Sequence, residues 1–344
     1  MPDQSAPASA PAPAPSKRRI LVTGGAGFVG SHVVLALAAR GDAVTVIDDL
    51  SQGHAAAVLP GVTLARLCLS DSAARDRVLA AGPWDAVLHF AARSLVGESM
   101  AQPFLYLLDN AGQGMALVDA CIRHGVRRFV LSSTANLYGD PDQVPIPEDA
   151  RIKPSSPYGD SKWMIERALA WADRVHGMRS ACLRYFNAAG SDPGGALGED
   201  HDPETHLIPL VIDAALGRRP VLTVFGTDWP TPDGTCIRDY VHVTDLADAH
   251  LRALDALEQG SVTWNVGVGT GHSVQDVVQA VERVGGRPVP LTLGTRRPGD
   301  PPVLVAEASR IRAACGWRPR FDRLDDIVAT AWAWRLAHPG GYGG

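Results

Sequence analysis

Lysine is nearly missing from this chain. Of 32 basic residues only Lys17, Lys153 and Lys162 are lysine, so 29 are arginine. No apolar run approaches the roughly 18 residues a membrane-spanning helix needs, which excludes a membrane partner of that kind. The five cysteines, Cys68, Cys121, Cys182, Cys236 and Cys315, are spread without a CxxC pair. That pattern argues against a disulfide scaffold or a cysteine zinc site and predicts reduced thiols in a cytoplasm; no metal ligand is assigned. The net charge of −5 carries no basic block beyond Lys17–Arg19, so nucleic acid is not expected as a partner. Residues 1–16 are mostly alanine and proline and predict a disordered tail, without the apolar centre of a signal peptide.

What the chain does contain is a large apolar fraction, 46% of 344 residues, enough for one large or two closely joined domains. In a chain that answers most needs for positive charge with arginine, a retained lysine suggests a need for a compact ammonium. Lys162 follows Tyr158 by four residues, and an ammonium under a phenol lowers its pKa, making tyrosine a usable acid or base. The same spacing also arises by accident on a solvated helix face, so the pair depends on its context. Ser155 to Gly177 reads as one helix, with Ser156 as cap, Pro157 in the first turn and Gly177 at the stop. A stripe of Met164, Ala168, Trp171 and Val175, joined by Ile165, Leu169 and Ala172, is expected to be core.

Near the start, RRILVTGGAGFVGSH places a short apolar strand before Gly24, Gly27 and Gly30 and an apolar helix, Val33 to Ala39, after them. Glycines alone are weak evidence; strand before and helix after make the turn a candidate pyrophosphate cradle. A second strand, Ala43 to Ile47, ends in Asp48, whose carboxylate suits the adenosine ribose hydroxyls and repels a 2′-phosphate. The cofactor expected is therefore NAD. Neighbouring Asp49 is either a second contact or the start of a turn. Further strands near Leu64–Leu69, Ala86–Phe90, Arg128–Leu131 and Ala181–Tyr185 alternate with helical stretches. The fold class is α/β, a doubly wound parallel (Rossmann) sheet with a smaller C-terminal α/β substrate-binding lobe. Its units are a NAD-binding domain over 17–190 and a lobe over 191–342, with a soft boundary across which strands can interleave. Ser132, Ser133 and Thr134 fall at the carboxyl end of a strand, where such sheets bind ligands.

With these residues in place, the chain resembles the extended short-chain dehydrogenase/reductase superfamily and, within it, the UDP-glucose 4-epimerase family. The segments that carry the likeness are TGGAGFVGSH, HFAARSLVGES, SSTANLYGD, SPYGDSK, LRYFNAAG, FGTDWPTPDGTCIRDYVHV and RRPGD, from Arg19 to about Tyr342, and the stretch Phe225–Val243 is the most specific. The resemblance implies a tightly held NAD that oxidises a UDP-sugar at C4 and reduces it again from the other face. It implies Tyr158, Lys162 and Thr134 as catalytic residues. For the cofactor it implies Gly24, Gly27, Phe28, Val29, Gly30, Asp48, Asp49, Cys68, Leu69, Phe90, Ala91, Ala92, Asn110, Ser132 and Phe186, besides Tyr158 and Lys162. For the UDP-sugar it implies Tyr185, Asn187, Leu207, Phe225, Arg238, Arg297, Asp300 and Leu304, besides Thr134 and Tyr158. A homodimer joined by a helical bundle is also implied.

Three departures stand out. Cys68 replaces an aspartate that in the family bonds the adenine, so that contact is expected to be lost. Leu304 is intermediate in size where the family gates N-acetyl groups, leaving substrate breadth open. Ala135 and Asn136 stand where sugar dehydratases carry an acidic pair, which argues against dehydration. Other readings are a related UDP-N-acetylhexosamine, UDP-pentose or UDP-uronate epimerase, and a non-catalytic NAD-binding sensor.

Overall fold

In a computed structural model, the described residues are 17–297 and 300–343; the Ala/Pro segment 1–16 lies outside them. The first strands are β1 (Arg19–Thr23), β2 (Ala43–Asp48), β3 (Thr63–Arg66), β4 (Ala86–His89), β5 (Arg128–Ser132) and β6 (Arg179–Tyr185). They are followed by β7 (Asn187–Ala189), β8 (Leu222–Phe225), β9 (Ile237–His242), β10 (Val262–Val266), β11 (Gly271–Ser273), β12 (Leu291–Gly294) and β13 (Val303–Leu304). Seven of these form one parallel sheet in the order β10-β6-β5-β4-β1-β2-β3. Residues such as Ile20, Leu21, Val22, Val87, Leu88 and Val130 are fully buried, as continuous apolar strands must be when helices cover both faces. Each such side chain contributes about 1.5–3 kcal/mol on burial.

The order reverses between β1 and β4, and there the sheet opens a crevice at its carboxyl edge. The helix Phe28–Ala39 starts beside it, with Gly27 as N-cap; having no side chain, Gly27 leaves the first-turn amides for a ligand. β3 ends at Arg66, so Cys68 and Leu69 sit in the loop after the strand rather than on it.

The second lobe is built from a four-stranded sheet, β11-β9-β13 with β7 on β9, and the pair β12-β8. The helices Leu207–Ala215, Val274–Gly285 and Leu324–Ala337 bury their apolar faces in its own core around Val211, Val277 and Val328. The chain crosses between layers more than once: β10 closes the large sheet beside β6, and the helix Val243–Ala256 packs on Phe28–Ala39. Residues past 191 therefore complete the first layer as well as forming the second.

The helix Pro157–His176 has the expected ends: Gly159 N donates to Ser156 Oγ at 3.2 Å, and Gly177 takes the left-handed C-cap at φ +65°. Its buried face differs from the expected stripe. Trp171 and Val175 are 58% and 62% exposed, whereas Tyr158, Lys162, Ile165, Glu166, Leu169 and Ala172 are buried. The apolar residues cover more than half the circumference, and the sheet selects the arc carrying Ile165 and Leu169 because that arc meets Leu117 and Leu131 in one cluster. Among the described residues no helix is long and apolar enough to cross a membrane.

Candidate active site

The glycine turn is a place where side chains do not fit. Gly24 has φ +73°, and a Cβ there would lie 2.4 Å from Ala91 N; at Gly30 a Cβ would lie 2.0 Å from Gly24 O. Phe90 N and Ala91 N both donate to Thr23 O, locking the ends of β1 and β4 together. Asp48 is 8% exposed, its Oδ2 accepting from Ala26 N at 3.0 Å and its Oδ1 from Leu50 N at 2.9 Å; burial raises its pKa while those bonds oppose the rise. The carboxylate is thus fixed against the turn. Asp49 is exposed and accepts from Ser51 N, the geometry of a turn, and Ala92 is exposed beside the crevice. Cys68 Sγ accepts from Ser70 Oγ at 3.1 Å and lies 4.0 Å from Gln113 Oε1. This cradle, with its close-approach glycines, bare helix start and carboxylate, fits a dinucleotide.

The residues after β5 form the other wall. Lys162 is 2% exposed and donates from Nζ to Ser132 O at 2.9 Å, which leaves two of its three N–H groups for a ligand. Burial pulls its pKa down to about 8. Ser132 Oγ donates to Tyr185 OH at 2.9 Å. Thr134 Oγ1 accepts from Asn136 N at 3.1 Å and Nδ2 at 3.2 Å, so its own proton points elsewhere. Tyr158 is pushed up by burial and by neighbouring Tyr185, and is held down by a hydrogen bond with Thr134. Lys162, four residues on along the same helix, is buried close by and anchored to the Ser132 carbonyl.

Beneath this wall lies a buried ion pair. Arg184 Nη2 meets Glu166 Oε2 at 2.6 Å with both side chains almost fully buried, and Ser133 Oγ donates to Glu166 Oε1 at 2.5 Å. Arg184 also donates to Tyr138 OH and Glu148 O. The pair fixes Ser133, and with it the hydroxyl groups on either side.

Asn110 lies in a π-helical stretch, Leu107–Gly112, and is 1% exposed. Its amide accepts from Arg93 N and donates to Arg93 O and Ser161 Oγ, tying the loop after β4 to the helix of Tyr158. Tyr106 was not singled out by the sequence. Its ring meets Tyr158 edge-on at 6.5 Å, and its hydroxyl is held by Glu98 Oε2 at 2.7 Å. A tyrosine eight residues after a glutamate gives no sequence signal of its own.

The substrate-side residues gather on the second lobe. Asn187 is paired with Tyr240 across β7 and β9, and Leu304, 5% exposed, is paired with Arg238 across β13 and β9. Arg238 Nη2 lies 3.9 Å from Asp300 Oδ1, and the Arg297 guanidinium stacks 4.1 Å over the Phe225 ring. Leu207 begins its helix, and Phe186 is buried beside Tyr185. Asn187 and Arg238 thus share the four-stranded sheet, while Arg297 and Phe225 meet at the end of the β12-β8 pair; arginine forks and an exposed aromatic ring are groups suited to a diphosphate and a flat base.

A dinucleotide cradle and a buried Thr, Tyr and Lys set on the same sheet define an NAD-dependent enzyme acting on a hydroxyl-bearing substrate. The profile of the NAD dependent epimerase/dehydratase family matches residues 20–267. The UDP-glucose 4-epimerase of Azospirillum brasilense is 50% identical over 318 residues, 92% of this chain and 91% of that protein. A crystal structure of a UDP-glucose 4-epimerase superposes with a TM-score of 0.91 at 42% identity, covering 94% of this chain and 99% of that one. The Brucella ovis UDP-glucose 4-epimerase in complex with NAD matches with a TM-score of 0.88 at 43% identity, over 92% and 98% of the two chains. The chain belongs to the NAD-dependent epimerase/dehydratase family, in its UDP-glucose 4-epimerase branch.

Proposed function

We infer that the protein interconverts UDP-glucose and UDP-galactose with NAD as cofactor. The observation that carries the reading is the burial of Thr134, just after β5, with Tyr158 and Lys162 on the helix Pro157–His176, at the carboxyl edge of the sheet whose β1 leads into the glycine turn. NAD, when bound, supplies a reversible hydride acceptor. Gly24, Gly27, Phe28, Val29 and Gly30 hold the pyrophosphate, Asp48 the adenosine ribose, and Lys162 the nicotinamide ribose through its two free N–H groups. Tyr158 takes the proton of the C4 hydroxyl and gives it back, and Thr134 donates to the same oxygen. The 4-keto sugar turns over in between while Arg238, Arg297 and Asn187 keep hold of the UDP.

Burial of Thr134, Tyr158 and Lys162 favours such a proton exchange, because hydrogen bonds and charges act more strongly away from bulk solvent. Ala135 and Asn136 offer no acid for elimination, in keeping with epimerisation rather than dehydration. The protein acts as a homodimer in a reducing cytoplasm. Support for the dimer comes from Phe104, Leu108, Trp171 and Val175, which are 75%, 68%, 58% and 62% exposed on helices that pack side by side. Incubating purified protein with UDP-galactose, without added NAD, should yield UDP-glucose; inactivity even with NAD supplied would overturn the reading. A panel adding UDP-N-acetylgalactosamine and UDP-arabinose measures how far the buried Leu304 admits other sugars.

A further inference from the structure

The loop leading into the helix Leu207–Ala215 reads EDHDPETH, and it folds four of its side chains toward one point. One ligand atom each from Glu199, His201, Glu204 and His206 lies within 4.8 Å of all the others. Both imidazoles turn Nδ1 inward. His201 Nδ1 stands 3.5 Å from Glu199 Oε1 and 3.5 Å from Glu204 Oε2, while His206 Nδ1 stands 3.1 Å from Glu199 Oε1 and 3.1 Å from Glu204 Oε1.

Glu199 forms the floor, 4% exposed, and its Oε1 has no well-directed hydrogen bond, only the His206 ring nitrogen 3.1 Å away. His201 Nδ1 and Glu204 Oε2 are likewise buried without a hydrogen bond. Three buried polar atoms whose only near partners are one another, without good hydrogen-bond geometry, is a costly arrangement, since each lost hydrogen bond to water must be replaced. A cation at the common point replaces all of them at once. Ligands held at about 2.0–2.2 Å on a tetrahedral ion stand roughly 3.4 Å apart, in line with the four separations above.

We propose that Glu199, His201, Glu204 and His206 bind a single zinc ion. Two carboxylates and two neutral imidazoles carry two negative charges, which a divalent cation cancels, and a set of nitrogen and oxygen ligands without cysteine suits zinc among the first-row metals. His206 is the most open of the four, its side chain 38% exposed, and gives the ion a way in.

The role is structural. His201 packs edge-on against Phe28, 6.2 Å between ring centres, at the start of the helix that follows the glycine turn. Asp200, inside the same loop, accepts from Tyr342 N through its carboxylate and meets the His54 ring through its backbone carbonyl. His206 is the N-cap residue of Leu207–Ala215. An ion here ties the first helix of the substrate lobe to the cofactor turn and takes no part in the proton step.

The test reads metal rather than turnover, so it stands apart from the proposed activity. Protein purified without chelator or metal-affinity resin should carry about one zinc per chain by elemental analysis. Replacing zinc by Co²⁺ should give the intense visible absorption of a tetrahedral site. Chelation should lower Tm by several degrees, with zinc restoring it. Glu199→Gln and His201→Ala should each weaken zinc binding at least tenfold. Below about 0.1 zinc per chain after incubation with equimolar zinc, no cobalt band, or unchanged affinity in both variants would overturn the proposal. Should the variants fail to fold, the cobalt spectrum of the unmodified chain decides.

Discussion

Lys162 sits where an arginine does not fit. Its ammonium is 2% exposed and bonded to Ser132 O, and a guanidinium in the same space has to displace that carbonyl or the helix. Lys162→Arg should lower kcat by about 100-fold or more with the circular dichroism spectrum unchanged, and full activity would reduce the lysine to a compositional accident. Tyr158→Phe should lose about as much or more. The pH dependence follows from the direction of the lysine shift. Burial brings its pKa to about 8 from 10.5, so the charged form is lost as pH rises through about 8, and kcat/KM should fall there. Between the native and unfolded values the unfolded chain binds a proton that the native one does not, so this group's penalty on stability is present below about 8 and relieved as pH rises. Cys68 Sγ accepts from the Ser70 hydroxyl and lies 4.0 Å from Gln113 Oε1, and a thiol is a poor acceptor for an adenine amino group. Cys68→Asp should slow the loss of bound NAD on dialysis; equal or faster loss would remove the adenine contact from the account.

Among the elements, the helix Pro157–His176 shows how far pattern reading reaches. Its start and stop were legible in Ser156, Pro157 and Gly177, because caps are local chemistry. Its buried face was not, because Met164, Trp171 and Val175 are as apolar as Ile165 and Leu169, and only the neighbouring sheet chooses between them. On the proposed dimer, Trp171→Glu should leave the monomer fold intact and shift the protein toward monomer in sedimentation or light scattering, and an unchanged mass would remove this face from the interface. The Glu166–Arg184 pair at the middle of the same helix behaves oppositely. Arg184→Met leaves a carboxylate buried with one hydroxyl partner and should cost about 3–5 kcal/mol in urea unfolding, together with activity, since Ser133 loses its anchor.

Across the whole molecule, Tyr342 near the C-terminus ties His54 of the first lobe to Gly198 and Trp334 of the second. Tyr342 OH bonds both Gly198 N and Gly198 O, and its ring lies 5.0 Å from His54 and 5.3 Å from Trp334. Tyr342→Ala should lower Tm by about 2–4 °C and raise KM for the UDP-sugar more than it lowers kcat, because the loop it pins leads into the substrate lobe. The sequence by itself determined the strand, turn and helix of the nucleotide end, the Tyr158 and Lys162 spacing, the α/β alternation and the family. All of these are local or carried by contiguous motifs, and their physics acts within a few residues. Only the tertiary structure decided which face of the long helix is core, that Lys162 is anchored on the Ser132 carbonyl, that β10 returns to close the first sheet, and that four side chains of one loop converge. Those outcomes depend on which surfaces meet, and a chain's pattern leaves several surfaces equally ready to be buried until the rest of the fold selects among them.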